Sequence, residues 1–132
     1  MNLNIIMYSL LSLLPVSCED SEECNVVATI YHAVPAQTDS TPFITASNKR
    51  INKDNPAGHR WIAVSRDLEP LGFIFGAKVC VENAGEMNGI WTVYDRMNRR
   101  FKHRIDFLVN TSMKGGKWNN VIISLNKHDT RN

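Results

Sequence analysis

Two aspartates stand where β-strands rarely carry them. Asp95 closes the run Ile90-Trp91-Thr92-Val93-Tyr94, and Asp106 sits between Ile105 and Phe107. Asp is disfavoured inside strands, so each needs a partner or a purpose. Two-residue alternation puts Ile105, Phe107 and Val109 on a core face, and Asp106 with Arg104 and Leu108 on the other. The turn from Arg96 to His103 is short enough for Asp95 and Asp106 to lie side by side on paired strands. Two close carboxylates repel, raising one pKa until that group keeps its proton near neutral pH. The protonated carboxyl then donates to a glycosidic oxygen, while its ionised partner stabilises positive charge on the sugar. The plainer alternative has both aspartates paired with Arg96, Arg99 or Arg104, pinning a hairpin.

Other side chains point elsewhere less strongly. His32, His59, His103 and His128 show no short ligand spacing, so no metal site is expected, and no motif calls for a cofactor. Lys114-Gly115-Gly116-Lys117 lacks the phosphate-loop layout and reads as a turn. Cys80 reads as a buried thiol or half of a disulfide, with no histidine spaced to activate it. Trp61, Trp91 and Trp118 either stack on sugar rings or fill a small core. Alternation places Trp91 on the strand face of Val93 and Asp95.

The elements that would position these groups are short strands. Residues 25–34, 61–65, 77–81, 90–94, 104–109 and 121–125 are rich in β-branched and apolar residues. Turn formers separate most of them, among them Pro70, Gly72, Gly76, Gly85, Gly89 and Gly115-Gly116. No sustained helical periodicity follows residue 17; one short helix fits near Asp67–Pro70 or Leu108–Met113. The pattern predicts a mainly β fold, a small barrel or sandwich. The long polar stretch from Pro35 to Arg60 is a candidate wall of a binding groove.

With 132 residues, 43% of them hydrophobic and 21% charged, the chain has room for one core. A formal charge of +2 with mixed signs gives no field for nucleic acid. The basic run Arg96, Arg99, Arg100, Lys102, His103, Arg104 is either a solvated loop or a hold for an anionic polymer. Residues 1–17 carry no charge around an apolar stretch from Ile5 to Leu14, followed at once by Glu19-Asp20-Ser21-Glu22-Glu23. This is the layout of a signal peptide and implies export, to the periplasm, the outer membrane or the medium. Leu14-Pro15-Val16-Ser17-Cys18 resembles a lipoprotein box; either Cys18 is acylated, the chain's one expected tie to a membrane, or cleavage leaves no lipid. Acylation would leave Cys24 and Cys80 as an even pair, for which a disulfide is open. Residues 18–25 read as an acidic linker, 26–126 as the domain and 127–132 as a polar tail, in a monomer.

Tyr31, Pro42-Phe43-Ile44-Thr45-Ala46-Ser47, Trp61-Ile62-Ala63-Val64-Ser65, Gly76-Ala77-Lys78-Val79, Asn88 to Asp95, and Arg104-Ile105-Asp106-Phe107-Leu108 follow one another in that order. The series resembles the 3D (three-aspartate) domain, a family similar to RlpA-like proteins and to the barrel of lytic transglycosylase A. The resemblance runs from about Val26 to Leu125. It implies a six-stranded double-psi β-barrel with long loops and a groove for cell-wall glycan. It also implies non-hydrolytic cleavage of peptidoglycan to a 1,6-anhydro end, without a metal. Carried over, Asp95 is the acid and then the base, and Asp106 orients or supports it. Thr45 and Ser47 line the groove and offer hydroxyls, and Tyr31 supplies a wall. Trp91 and Arg104, flanking the aspartates, complete the expected binding set. The chain departs from the pattern at Asp95-Arg96-Met97, where the family has Asp-Thr-Gly. Asn48 follows Ser47 in place of Gly, a position where Asn tolerates positive φ. Ser65 replaces the first aspartate, with Asp67 two residues on. A glycan-cleaving enzyme, a non-catalytic glycan-binding module, and a structural envelope or phage component on the same barrel all fit these residues.

Overall fold

The computed structural model describes residues 22–34 and 41–127. The expected export segment, the Cys18 lipid box and nearly all of the polar tail lie outside the described residues.

Six strands form where the β-branched runs predict them: β1 Cys24–Tyr31, β2 Trp61–Val64, β3 Lys78–Glu82, β4 Gly89–Arg96, β5 Arg104–Leu108 and β6 Lys117–Leu125. β1 begins inside the expected linker, and β6 starts four residues before the apolar run because its first half pairs with β1. The short helix near Asp67 is a 3₁₀ segment, Arg66–Leu71, whereas residues 108–113 stay non-helical.

The strands close in the order β1-β5-β2-β4-β3-β6, a mixed barrel with no free edge. β1 with β5 and β2 with β4 run parallel; the other four pairs are antiparallel. Exchanging β1–β3 for β4–β6 reproduces every pairing, so the barrel has an internal pseudo-two-fold. β5 slots between β1 and β2, and β2 slots between β5 and β4, which gives the double-psi connectivity.

Inward-facing residues of all six strands, with Leu68 and Phe73 from the β2–β3 connection, fill the barrel. The region 35–60, expected as a groove wall, is described from residue 41. There it lies on the outside of the barrel, where Ile51 packs with Tyr31, Ala63, Met97 and Leu108 in a second, smaller core. That layer buries the outer face on which the aspartates stand.

Cys80 is disulfide-bonded. Cys24 is a free thiol. The Cys24–Cys80 bridge left open by counting is therefore not formed; the partner of Cys80 lies outside the described residues.

Candidate active site

Register places the two aspartates in one row across four strands. On β1 Thr29 pairs with Asp106 of β5. Asp106 pairs with Ala63 of β2. Ala63 pairs in turn with Asp95 of β4. The row Thr29–Asp106–Ala63–Asp95 straddles the pseudo-two-fold, which exchanges Asp106 with Ala63 and Thr29 with Asp95.

The expectation of aspartates on adjacent paired strands is thereby corrected. β4 and β5 are not partners, because the 97–103 connection carries the chain past β2, which lies between them. Two strand spacings put the Asp Cα atoms about 10 Å apart. Ala63 lies between the two aspartates in the row, 4% exposed and packed in the cluster that holds Tyr31 and Ile51.

A bulge brings Asp95 to this face. Register slips between Ile62 and Ala63, which pair with Val93 and Asp95, leaving Tyr94 as the extra residue. Strict alternation would send Asp95 inward with Trp91 and Val93. With the bulge, Trp91 stays in the barrel core, its ring 4.6 Å from that of Phe107 and its Nε1 donating to Met87 O at 2.8 Å. Trp91 is 2% exposed and offers no face to a sugar, so its expected place beside the site is corrected.

Asp95 is held as an acceptor. Its Oδ2 accepts from the Tyr31 hydroxyl at 3.0 Å. Its Oδ1 accepts from the backbone N–H groups of Ala46 and Arg96, each at 2.9 Å. Donors of this kind favour the ionised carboxylate. Tyr31, expected as a wall, is a buried donor that reaches from β1 over two intervening strands. Burial first, then the charge and hydrogen bond of Asp95 and the charge of Asp106, push its phenol well above the ordinary range. It stays protonated and keeps donating.

Asp106 sits in the opposite electrostatic setting. Burial, the largest cause, raises its pKa; the Thr29 hydroxyl, which donates to Oδ1, and the Arg104 charge oppose this, and the Asp95 charge adds to the rise. Burial is thus the main cause of the rise at Asp106, and repulsion from Asp95 the smallest. Arg104 lies with its guanidinium 4.9 Å over the Phe101 ring, and its buried Nε has no hydrogen-bond partner among the described residues.

The Thr-Ala-Ser loop closes over Asp95 through its backbone. Ser47 Oγ donates to Tyr94 O at 2.6 Å, so the 2.9 Å contact between Thr45 and Ser47 uses the Thr45 proton. Thr45 Oγ1 also accepts from Lys49 N at 3.0 Å. Both hydroxyl protons are used inside the protein, that of Thr45 within the loop and that of Ser47 on β4. The expected offer of these hydroxyls to a sugar or an aspartate is replaced by the Ala46 N–H. Asn48 takes φ 69° in the turn, the conformation expected of it.

Asp67 does not join the row. Its Oδ2 accepts from His103 N at 2.9 Å and lies 3.5 Å from His103 Nδ1, clamping the β2–β3 and β4–β5 connections together. Ser65 reinforces the clamp, its Oγ accepting from Arg104 N at 3.0 Å. Burial raises the Asp67 pKa, but the Ser65 hydroxyl, the backbone donors and the His103 charge outweigh it, and the net shift is downward.

Thr29, Ala63 and Ala46 belong to the aspartate row and its donors, although residue type did not flag them. Ala46 and Ala63 had a sequence signal, their places in the Thr45-Ala46-Ser47 and Ile62-Ala63-Val64 runs; Thr29 had none. Beside them Trp61 stacks on His59 at 3.8 Å and meets Tyr94 edge-on at 5.2 Å, an aromatic step next to the row. A cleft of about 310 Å³ opens further along the outer face, where Phe43, Val109 and Asn110 meet; it does not include either aspartate. Among the described residues no group of three His, Cys, Asp or Glu side chains is placed to hold a metal ion. No protein-family model and no curated protein matches the chain.

Proposed function

We propose that this protein acts on a cell-wall glycan, cleaving peptidoglycan by acid/base chemistry of the lytic transglycosylase type. The observation that supports this most is the Thr29–Asp106–Ala63–Asp95 row, which pairs a carboxyl whose pKa burial raises with one that accepts hydrogen bonds from Tyr31, Ala46 and Arg96. Division of this kind is what glycosidic cleavage requires. The roles differ from those carried over by resemblance: Asp106, whose pKa burial raises, acts as the acid, and Asp95 supports it.

In this mechanism Asp106 gives its proton to the bridging oxygen as the bond from that oxygen to the anomeric carbon breaks. The Asp95 carboxylate, held by Tyr31, Ala46 and Arg96, stabilises the positive charge that develops on the sugar. The ionised Asp106 then takes the proton of the sugar's own 6-hydroxyl as that oxygen attacks the anomeric carbon. The result is a 1,6-anhydro end with no water consumed, and Asp106 is protonated again. Arg104 offsets part of the cost of ionising Asp106 during the cycle.

A non-catalytic binding module is the second reading. It is favoured by the engagement of Asp95, Thr45 and Ser47 with the protein's own donors and acceptors. Digestion of purified peptidoglycan, with product masses read for anhydro ends, separates the two. Products from the unmodified protein that vanish in Asp106→Asn and fall steeply in Asp95→Asn support the enzyme. Absence of products, with glycan pull-down retained by all three proteins, makes it a binding module.

A further inference from the structure

We infer that the loop Leu71–Ala77, remote in purpose from the aspartate row, is a wedge that docks the protein on an anionic lipid surface. Leu71 and Ile74 are each 55% exposed, the largest exposure of any bulky apolar side chain among the described residues. Isolated exposed leucines are ordinary, but two on one tight loop above an apolar cleft are not. That cleft, about 390 Å³, runs beneath the loop between Phe75 and Leu125.

The loop is built to hold these side chains outward. Phe73 between them is 2% exposed and anchors the base. Gly72 and Gly76 take φ 108° and 92°, which side-chain-bearing residues rarely adopt. Ile74 N donates to Gly72 O and Ala77 N to Ile74 O, both at 2.9 Å, and Gly76 N donates to Val93 O at 2.7 Å. A preorganised tip loses little conformational entropy when it inserts.

Charge selects the kind of surface. Lys78 and Lys127 border the cleft. The Arg96 guanidinium lies 4.9 Å over Phe75, and the nearby Glu69 carboxylate is already engaged with it at 2.8 Å. The Arg96–Glu69 pair is neutral, so the positive charge at the cleft is that of Lys78 and Lys127; apolar side chains flanked by lysines match acyl chains beneath anionic headgroups. Because Arg96 directly follows Asp95, docking here would hold the Asp95 end of β4 near the lipid.

The test is sedimentation of the full chain with vesicles of phosphatidylglycerol and phosphatidylcholine, or of phosphatidylcholine alone. Binding is expected to the anionic vesicles, weakening with added salt. Leu71→Ser with Ile74→Ser should lower it about tenfold or more, with an unchanged melting curve because neither side chain is in the core. In a second measurement, Ile74→Trp should show a blue shift in emission with anionic vesicles. The inference is overturned by equal binding to neutral vesicles, by no binding, or by undiminished binding of the double variant. An unshifted Ile74→Trp spectrum on vesicles that do carry the protein overturns it as well. None of these results depends on whether glycan is cleaved.

Discussion

The hydroxyl of Tyr31 on β1 donates to Asp95 Oδ2 on β4 at 3.0 Å, with β5 and β2 lying between the two strands. One hydrogen bond thus spans the width of the row and fixes the carboxylate at its far end. The strand order alone puts these residues within reach, since they are 64 positions apart in the chain.

Tyr31→Phe should leave the fold intact and cost about 1.5–3 kcal/mol, the usual contribution of one hydrogen bond to a charged acceptor. Urea unfolding reads the loss. In the unmodified protein, absorbance titration of the phenols should show one tyrosine that ionises only at strongly alkaline pH, and that laggard should be missing in the variant. Ordinary titration of every tyrosine would contradict the burial and charge argument.

Asp106 and Asp67 should pull stability in opposite directions with pH. The folded-state pKa of Asp106 is raised, so its contribution is full below the unfolded value of about 4 and is lost as pH rises through the folded pKa. Asp67 is lowered, so its contribution is present above about 4 and disappears as pH falls through the folded pKa. Asp106→Asn should therefore stabilise at neutral pH and lose that advantage in acid. Asp67→Asn should destabilise at neutral pH and matter less in acid. Melting curves between pH 3 and pH 7 decide both.

Ala63 is 4% exposed between the carboxylates and beneath the outer layer. Ala63→Leu should cost about 1–3 kcal/mol by overpacking. Ala63→Gly should cost less than Ala63→Leu, so a variant series reports how tightly this position is packed. If Leu is tolerated as well as Gly, the layer over the row is looser than the packing implies.

Thiol chemistry should divide the cysteines. Burial, followed by the Glu22 and Asp67 charges, raises the Cys24 thiol, so it should alkylate slowly at neutral pH without prior reduction. Cys80, 1% exposed and disulfide-bonded, should be modified only after reduction and unfolding. Peptide masses after each step check the assignment.

Glycan cleavage with an anhydro end, the one activity proposed here, rests on the unequal environments of Asp95 and Asp106. Those environments were only half legible in the chain. Period-two alternation correctly put Asp106 outside, because β5 has no irregularity. The same rule misplaced Trp91 with Asp95, because the Tyr94 bulge shifts the face in mid-strand and leaves no mark in residue type. Motif order brought Thr45-Ala46-Ser47 to the site but assigned its hydroxyls work that the Ala46 N–H does.

By itself the sequence determined the six strands, the connecting turns and the left-handed position taken by Asn48. These follow from local terms: β-branched propensity, alternation and backbone sterics act within a few residues. Which strands touch was decided only in three dimensions, where closure removes every edge and drives β2 between β4 and β5. That insertion separates the aspartates by a whole strand, sets Ala63 between them and aligns Thr29 with Asp106. It also buries one carboxyl while surrounding the other with donors, and proton affinity depends on that long-range enclosure rather than on neighbours in the chain.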